Sequence, residues 1–215
     1  MKNYSLFKQD QKQLLNSFNE TFLAIINFFN QELNLIKNSK KTQDLDKQFD
    51  ECIKLDLKNL KDIKDILDEC IWIIQKHEPR TNHLRLIITI INSLSDLKRM
   101  SSYVVTFLRF FHKYNSKIND KLKNNLIKIS DLSFKTTQEF YQLVLKYKNT
   151  NIKEESDKLF NKFLKEYKKF YPDFIKENNS QKHNPKMMAS YIILLKNIDR
   201  SIDHCVNIVE NFISI

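Results

Sequence analysis

Glycine is absent from the 215 residues of this chain, and proline occurs only three times. The glycine-rich loops that cradle phosphate groups in nucleotide-binding proteins are therefore excluded, because their backbone conformations need residues without a side chain. Turns that usually use glycine are expected to use asparagine, which also tolerates left-handed backbone angles.

Long hydrophobic runs are also absent from the sequence. No apolar segment approaches the roughly 20 residues that cross a bilayer. The first segment, MKNYSLFKQDQKQLL, lacks the apolar core of a signal peptide because polar residues interrupt it at short intervals. We expect a cytoplasmic protein that reaches a membrane only through its partners.

Residues that build disulfides and zinc sites are few and scattered. The chain has three cysteines, which lie far apart: Cys52, Cys70 and Cys205. Their odd number and the lack of a C-x-x-C pair argue against a disulfide framework and against a thiolate zinc site. His77 and His83 have no Cys or Glu in ligand spacing, so helix capping or solvent contact is favoured over zinc binding.

The net charge of +10 raises the question of nucleic-acid binding, because Lys and Arg neutralise phosphates. The cations are spread along the chain, however, and mixed with 26 acidic residues. Arginine is scarce while Lys, Asn, Ile and Phe are abundant, a bias that is typical of an AT-rich genome and gives basicity without a selected partner. No nucleic-acid partner is expected, and a basic helical nucleic-acid-binding or scaffolding protein remains the alternative.

Apolar residues recur at steps of three and four along almost the whole chain, which predicts amphipathic helices. The first three stripes run over 14–36, 49–74 and 84–111. The remaining helices are expected at about 118–147, 152–175 and from 185 to the C-terminus. No segment alternates with the period of a strand. The sequence therefore predicts an all-α protein with six long helices.

Polar breaks separate these helices. The segment EPRTN ends the second helix, because proline disfavours helical geometry in the residue before it and has no amide to donate. Thr81 or Asn82 is expected to cap the third helix. The segments NSKKTQD and ENNSQKHNP mark two other links. Short links make neighbouring helices antiparallel.

An internal repeat indicates how the six helices are grouped. Displacing the chain by 101 residues sets LSDLKRMSSYVV, 94–105, against LKNIDRSIDHCV, 195–206. The match is informative because these segments fall in the third and the sixth helix. It predicts two pseudo-symmetric antiparallel three-helix bundles, with domains at residues 1–113 and 114–215.

Two motifs in these repeats resemble those of the PhoU family. The segment DECIWIIQKHEPRTNHLR, 68–85, is similar to the junction at which a PhoU helix ends, a proline follows and the next helix opens with Asp-Leu-Arg; here His83 stands in place of the Asp. The family also carries a third-helix motif resembling Glu-Arg-x-Gly-Asp in both repeats. This chain has KRMSS, 98–102, and DRSID, 199–203, at those places.

The resemblance implies a regulator of phosphate uptake with two three-helix bundles. PhoU proteins act beside the high-affinity phosphate ABC transporter, restrain uptake, often form homodimers and pass the transporter's state to a membrane sensor kinase where one exists. The expected partners are therefore the ATPase subunit of that transporter, a membrane sensor kinase and a second copy of this chain. Nothing specific in the sequence favours an enzyme, and no catalytic residue is predicted.

The resemblance also implies a metal site in the second bundle. Asp199 and Asp203 are four residues apart, so both side chains lie on one helix face, where oxygen ligands suit Mg, Mn or Fe. Asp157 on the fifth helix is the expected partner. The alternative is that these carboxylates are solvated, with Arg200, Lys196 or His204 compensating their charge.

The first bundle departs from the family's motif. Lys98 and Ser102 stand where the family has two carboxylates, and a lysine there would repel a cation. Asp56 on the second helix is a remnant partner or a surface residue. We therefore expect a divalent or iron cation only in the second bundle. Trp72 is expected either at the edge of a bundle or as an aromatic anchor at a protein interface.

Overall fold

Six α-helices account for most of the chain. The computed structural model describes residues 2–38, 42–170, 172, 175–176 and 184–215. The helices are α1 Lys2–Asn38, α2 Thr42–His77, α3 Asn82–Tyr114, α4 Asp120–Leu145, α5 Ile152–Tyr167 and α6 Pro185–Ile213. No strand occurs among the described residues. The prediction of an all-α protein with six helices is confirmed.

The fifth helix is interrupted within the span that the sequence pattern predicted. It was expected to continue to about Ile175, but α5 ends at Tyr167 and a single 3-10 turn, Lys168–Phe170, follows. Beyond this turn, residues 172, 175 and 176 are again helical. Residues 39–41 of the link predicted at 38–44 and residues 177–183 of the link predicted at 177–185 lie outside the described residues.

The core lies between the apolar stripes of neighbouring helices. On α1 the side chains of Leu14, Phe18, Phe22 and Ile25 are fully buried. α1 packs against α2, α3 and α4, whereas α6 packs against α3, α4 and α5. These contacts place α1, α3, α4 and α6 in the centre and α2 and α5 on the outside.

One continuous hydrophobic cluster joins both predicted bundles. It includes residues from every helix, and the most extensive helix contact of the molecule is the one between α3 and α6. The three cysteines lie in this cluster and are not joined by disulfides. The division into domains 1–113 and 114–215 concerns independent folding units, which the packing alone does not test, and it stays a prediction.

Asparagine caps two of the later helices. The side chain of Asn119 accepts a hydrogen bond of 2.8 Å from the amide of Leu122 at the start of α4. Asn184 accepts one of 2.9 Å from the amide of Lys186, and Pro185 occupies the first position of α6, where a missing amide costs nothing. These bonds satisfy backbone amides that have no partner inside the helix.

The turn between α2 and α3 contains Pro79, as predicted, and carries backbone strain. Glu78 and Thr81 have positive φ angles of 44° and 51°, in a region that favours glycine. Thr81 occupies the predicted cap position of α3, but its side chain makes no capping hydrogen bond. With no glycine in the chain, this turn is built from residues whose Cβ atoms oppose its geometry.

Replacing Thr81 by glycine is expected to raise the free energy of unfolding by about 1 kcal/mol, because relief of the strain outweighs the extra flexibility of the unfolded chain. The Thr81 side chain is exposed, and the hydrogen bond of 3.0 Å from the Arg85 amide to the Thr81 carbonyl is kept. Urea unfolding followed by circular dichroism measures the change. The matched control is Thr106→Gly inside α3, which should lower stability. A loss of stability in both variants would contradict the prediction.

None of the helices in the described ranges is long and apolar enough to cross a membrane.

Candidate functional site

Residues that the sequence repeat sets against each other meet at the contact between α3 and α6. The two helices run antiparallel: Thr89 Oγ1 donates to the carbonyl of Asn211, while the rings of Phe110 and Tyr191 meet edge to face. Between these points, Tyr103 Oη lies 3.3 Å from His204 Nε2. Residues 103 and 204 are separated by 101 positions, the displacement of the sequence repeat. Contact between equivalent residues indicates that the pseudo-twofold axis passes close to them.

A chain of three polar side chains crosses this axis. His204 Nδ1 lies 2.7 Å from Asp96 Oδ1, and its other ring nitrogen faces Tyr103. The Asp96 and His204 side chains are each only 12% exposed. The sequence considered His204 as compensation for Asp199 and Asp203 on its own helix. The structure instead pairs it with a carboxylate on α3.

Asp199 and Asp203 lie near each other on α6 but in different environments. Asp199 is half-buried, and its Oδ1 atom is buried without a hydrogen-bond partner among the described residues. Burial and, second, the charge of Asp203 raise the pKa of the Asp199 carboxyl. Asp203 is exposed. The orphan oxygen is the one feature of this pair that would suit a cation.

Asp157, the third predicted ligand, is exposed on α5. Across the described residues, no group of three or more His, Cys, Asp or Glu side chains is arranged to hold a metal ion. Asp157, Asp199 and Asp203, all described, therefore do not form a ligand set. Metal binding in this half of the molecule stays a prediction.

In the first repeat, the residue that the displacement sets against Asp157 is Asp56, and its carboxylate accepts a hydrogen bond. Ser101 Oγ on α3 donates to Asp56 Oδ1 on α2 over 2.6 Å. Asp56 is thus neither an isolated surface residue nor a ligand with both oxygens available. Lys98 and Ser102 are exposed, and the Ser102 hydroxyl donates to the carbonyl of Lys98. This side of α3 presents a cation and a hydroxyl instead of two carboxylates.

A buried glutamate between α1 and α4 was missed by the sequence analysis. Glu32 is 3% exposed, and its Oε1 accepts a hydrogen bond of 3.1 Å from Ser130 Oγ. Burial raises the pKa of Glu32 to about 8, although the Ser130 hydrogen bond acts against the shift. Glu32 lies four residues after Phe28 and four before Ile36, both apolar. This position within the apolar stripe of α1 could have predicted that Glu32 is buried.

Glu32 also borders a small cavity at the centre of the molecule. Tyr103, Asn197 and Ser201 contribute to the lining of this cavity from α3 and α6. Asn197 is the residue that the repeat sets against Asp96. Tyr103 therefore links this cavity to the polar chain that it forms with His204 and Asp96. The carboxyl of Glu32 lies near the same internal axis, where α1, α3, α4 and α6 meet.

The two histidines near Pro79 bind to α1. His77 Nε2 lies 2.8 Å from Asp10 Oδ2, and His83 Nδ1 lies 3.0 Å from Gln11 Oε1. The hydrogen bond from His77 is the main cause of a lowered pKa of Asp10, followed by that from Lys76. The predicted capping or solvent role was therefore wrong, because both histidines fasten the turn to the first helix.

Trp72 lies on the outside of α2. Its side chain is 48% exposed, and Lys76 Nζ lies 3.9 Å above its ring. A cation–π contact of this kind contributes about 0.5–1 kcal/mol at an exposed site. The exposure agrees with either predicted role, at the edge of a bundle or as an interface anchor.

The exposed sides of α3 and α6 adjoin and form one face of the protein. Ser95 on α3 and Asn207 on α6 line the same shallow depression, whose floor includes Asp96. Exposed residues continue from there along both helices at helical spacing, through Arg99, Ser102 and Arg109 on α3. This face covers the polar chain at the internal axis.

Sequence comparison finds relatives along the whole chain. No protein-family model matches it. It is similar to the uncharacterised protein MG409 of Mycoplasma genitalium, with 29% identity over 219 residues that cover 99% of this chain and 95% of the relative. It is also similar to the MG409 homologue of Mycoplasma pneumoniae, with 27% identity and coverage of 98% and 94%.

Structure comparison identifies the fold. The chain is similar to a crystal structure of PhoU from Pseudomonas aeruginosa, with a TM-score of 0.75, 19% identity and coverage of 96% of this chain and 97% of that one. It is similar to the phosphate transport system regulatory protein PhoU from Streptococcus pneumoniae, with the same TM-score, 17% identity and coverage of 96% and 95%. At these identities the likeness concerns the fold, and the protein has a PhoU-like fold over nearly its full length.

Proposed function

We propose that the protein is a PhoU-like regulator of phosphate uptake that acts by binding the ATPase subunit of a phosphate ABC transporter. The observation that supports this proposal is the likeness to two PhoU structures across 96% of the chain, in both halves of the molecule. One of those structures is of a phosphate transport system regulatory protein. Fold alone does not define function, so the proposal depends on a direct test.

The architecture suits a binding protein better than an enzyme. Six packed helices give a rigid scaffold, and two buried polar pairs at its centre are engaged in hydrogen bonds. Asp96 bonds with His204 across the internal axis, and Ser130 bonds with Glu32 between α1 and α4. The exposed faces are therefore the parts of the molecule available for regulation by contact. A membrane sensor kinase and a second copy of this chain are further partners in the proposal.

Binding to the purified ATPase subunit of the phosphate transporter from the same cell tests the proposal. We expect specific association with a Kd on the order of micromolar, as in a reversible regulatory complex. The matched control is the ATPase subunit of an unrelated ABC transporter. Deleting the gene should raise phosphate uptake, because the proposed regulator restrains the transporter.

The basic composition of the chain supports nucleic-acid binding as the alternative function, and the two functions predict different binding results. A basic nucleic-acid-binding protein would bind duplex DNA or RNA with an affinity that falls steeply as salt is added, since each neutralised phosphate releases a counterion. Such binding, together with equal affinity for the two ATPase subunits, would reject the phosphate-uptake proposal.

A further inference from the structure

Cations are concentrated on the face formed by α3 and α6. Six exposed cationic residues lie on this face, which we call the arginine face: Lys98, Arg99, Arg109, Lys113, Lys196 and Arg200. Asp96 is the only acidic residue in α3, and it is buried. The α3 part of the face therefore has no exposed carboxylate. On α6, Asp203 lies one turn from Arg200 and Glu210 lines the depression beside Ser95, so the excess of cations lies on the α3 part of the face. Glu210 is 3.9 Å from Lys153 of α5.

None of these six cations forms an ion pair with any carboxylate in the described part of the chain. Exposed lysines elsewhere do form such pairs, for example Lys135 with Asp131 and Lys158 with Glu154, each at 2.6 Å. Within the described ranges, these six cations are therefore free to pair with carboxylates of another molecule.

The choice of residue on this face is also informative. The chain has only five arginines, and three of them, Arg99, Arg109 and Arg200, lie on the arginine face. The guanidinium group binds a carboxylate through two parallel hydrogen bonds, which a lysine cannot do. Arg99 and Arg200 are also equivalent under the displacement of 101 residues, so each repeat contributes one arginine near the internal axis.

We infer that the arginine face is the docking surface for a protein partner that presents a carboxylate-rich helix. This inference deepens the proposed function, on which it rests, by assigning the contact surface and the chemistry of the partner. The arginines bind acidic side chains of the partner in pairs. The electrostatic complementarity speeds association and fixes the orientation of the complex.

The surroundings of the arginines favour a protein over a nucleic acid as the partner. Ile193 lies on the exposed side of α6 one turn before Lys196 and is 52% exposed. Ile193 is two turns before Arg200, and arginine is enriched at the centre of protein interfaces. A single-stranded nucleic acid would instead require aromatic side chains for base stacking. Tyr103, the aromatic residue of α3 nearest to Arg99 in sequence, is only partly exposed and bonds with His204.

A labelled peptide tests the inference without any natural partner. The probe is a fluorescein-labelled helical peptide of about 20 residues with paired glutamates beside leucines, and its fluorescence anisotropy reports binding. The triple variant R99Q/R109Q/R200Q should bind at least about tenfold more weakly than the wild type. The matched control K61Q/K128Q/K165Q removes three exposed lysines from α2, α4 and α5 and should change the affinity less than about twofold.

The outcomes separate the inference from the proposed function. Selective loss of peptide binding in the arginine variant supports the docking surface. The inference is overturned if the wild type does not bind the peptide, if both triple variants lose affinity equally, or if a DNA duplex binds more tightly through the same arginines. None of these results involves the transporter, so failure of the phosphate-uptake proposal remains a separate result of the ATPase binding assay. Circular dichroism of both variants confirms that each is folded.

Discussion

Replacing Glu32 by glutamine is expected to make the protein more stable than the wild type at pH 9 and to remove most of a pH dependence that the wild type shows. The folded pKa of Glu32 is about 8, against an ordinary value of 4.5, because the carboxyl is buried. Below pH 4.5 the carboxyl is protonated in both states and its full contribution to stability is present. Between pH 4.5 and 8 only the folded state keeps the proton, so stability falls as pH rises.

The expected size of this effect is large for one residue. A difference between about 8 and 4.5 corresponds to roughly 5 kcal/mol, since each pKa unit is about 1.4 kcal/mol. We compare the free energies of unfolding of Glu32→Gln and of the wild type. The stability of the variant relative to the wild type should increase by roughly this amount from pH 4.5 to pH 9. Glutamine keeps an oxygen that accepts the hydrogen bond from Ser130.

Urea unfolding at several pH values measures the Glu32 effect. Other groups titrate in both proteins, and the difference between them isolates the glutamate. The matched control is Glu20→Gln, which makes the same substitution at an exposed position of the same helix. Parallel pH profiles for Glu32→Gln and the wild type would show that this carboxyl is not protonated in the folded state.

Replacing His204 by alanine is expected to lower the free energy of unfolding by about 3 kcal/mol, because it leaves the Asp96 carboxylate buried without its partner. The two side chains are each 12% exposed and lie 2.7 Å apart across the α3 and α6 contact. The double variant D96A/H204A should cost less than the sum of the two single variants, because it removes both members of the pair. A coupling energy of about 1–2 kcal/mol is expected.

The surface pair of His112 and Asp46 provides a matched control for the His204 variant. Its atoms are also 2.7 Å apart, but the two side chains are 41% and 79% exposed. An exposed pair contributes about 1 kcal/mol or less, so His112→Ala should have a smaller effect than His204→Ala. Urea unfolding at neutral pH measures both. Equal losses in the two variants would mean that burial at the internal axis gives the Asp96 pair no special role.

The helices could be predicted from the sequence because their determinants are local. The spacing of Leu14, Phe18 and Phe22 defines a buried stripe, and all three side chains are fully buried. Pro79 marks the end of α2 by removing an amide and restricting the residue before it. The displacement of 101 residues was also visible, and the contact of Tyr103 with His204 agrees with it.

The candidate sites were less predictable because they depend on contacts between distant residues. Helical spacing placed Asp199 and Asp203 on one side of α6, but it contained no information on how far Asp157 on α5 would lie from them. It also missed Asp96 as the partner of His204, 108 residues away in sequence. The concentration of unpaired arginines became visible only when the exposed sides of α3 and α6 were found to adjoin.

Local patterns were sufficient to predict the all-α class, six helices, the turn at Pro79 and a repeat that relates the two halves. Periodicity and backbone restrictions act over a few residues, so a single chain is sufficient to read them. The contacts between distant helices were needed to show that Glu32 is buried against Ser130, that His204 bonds with Asp96, and that Arg99 and Arg200 share one face. These features depend on which helix faces which, and that choice is made by the packing of the whole core.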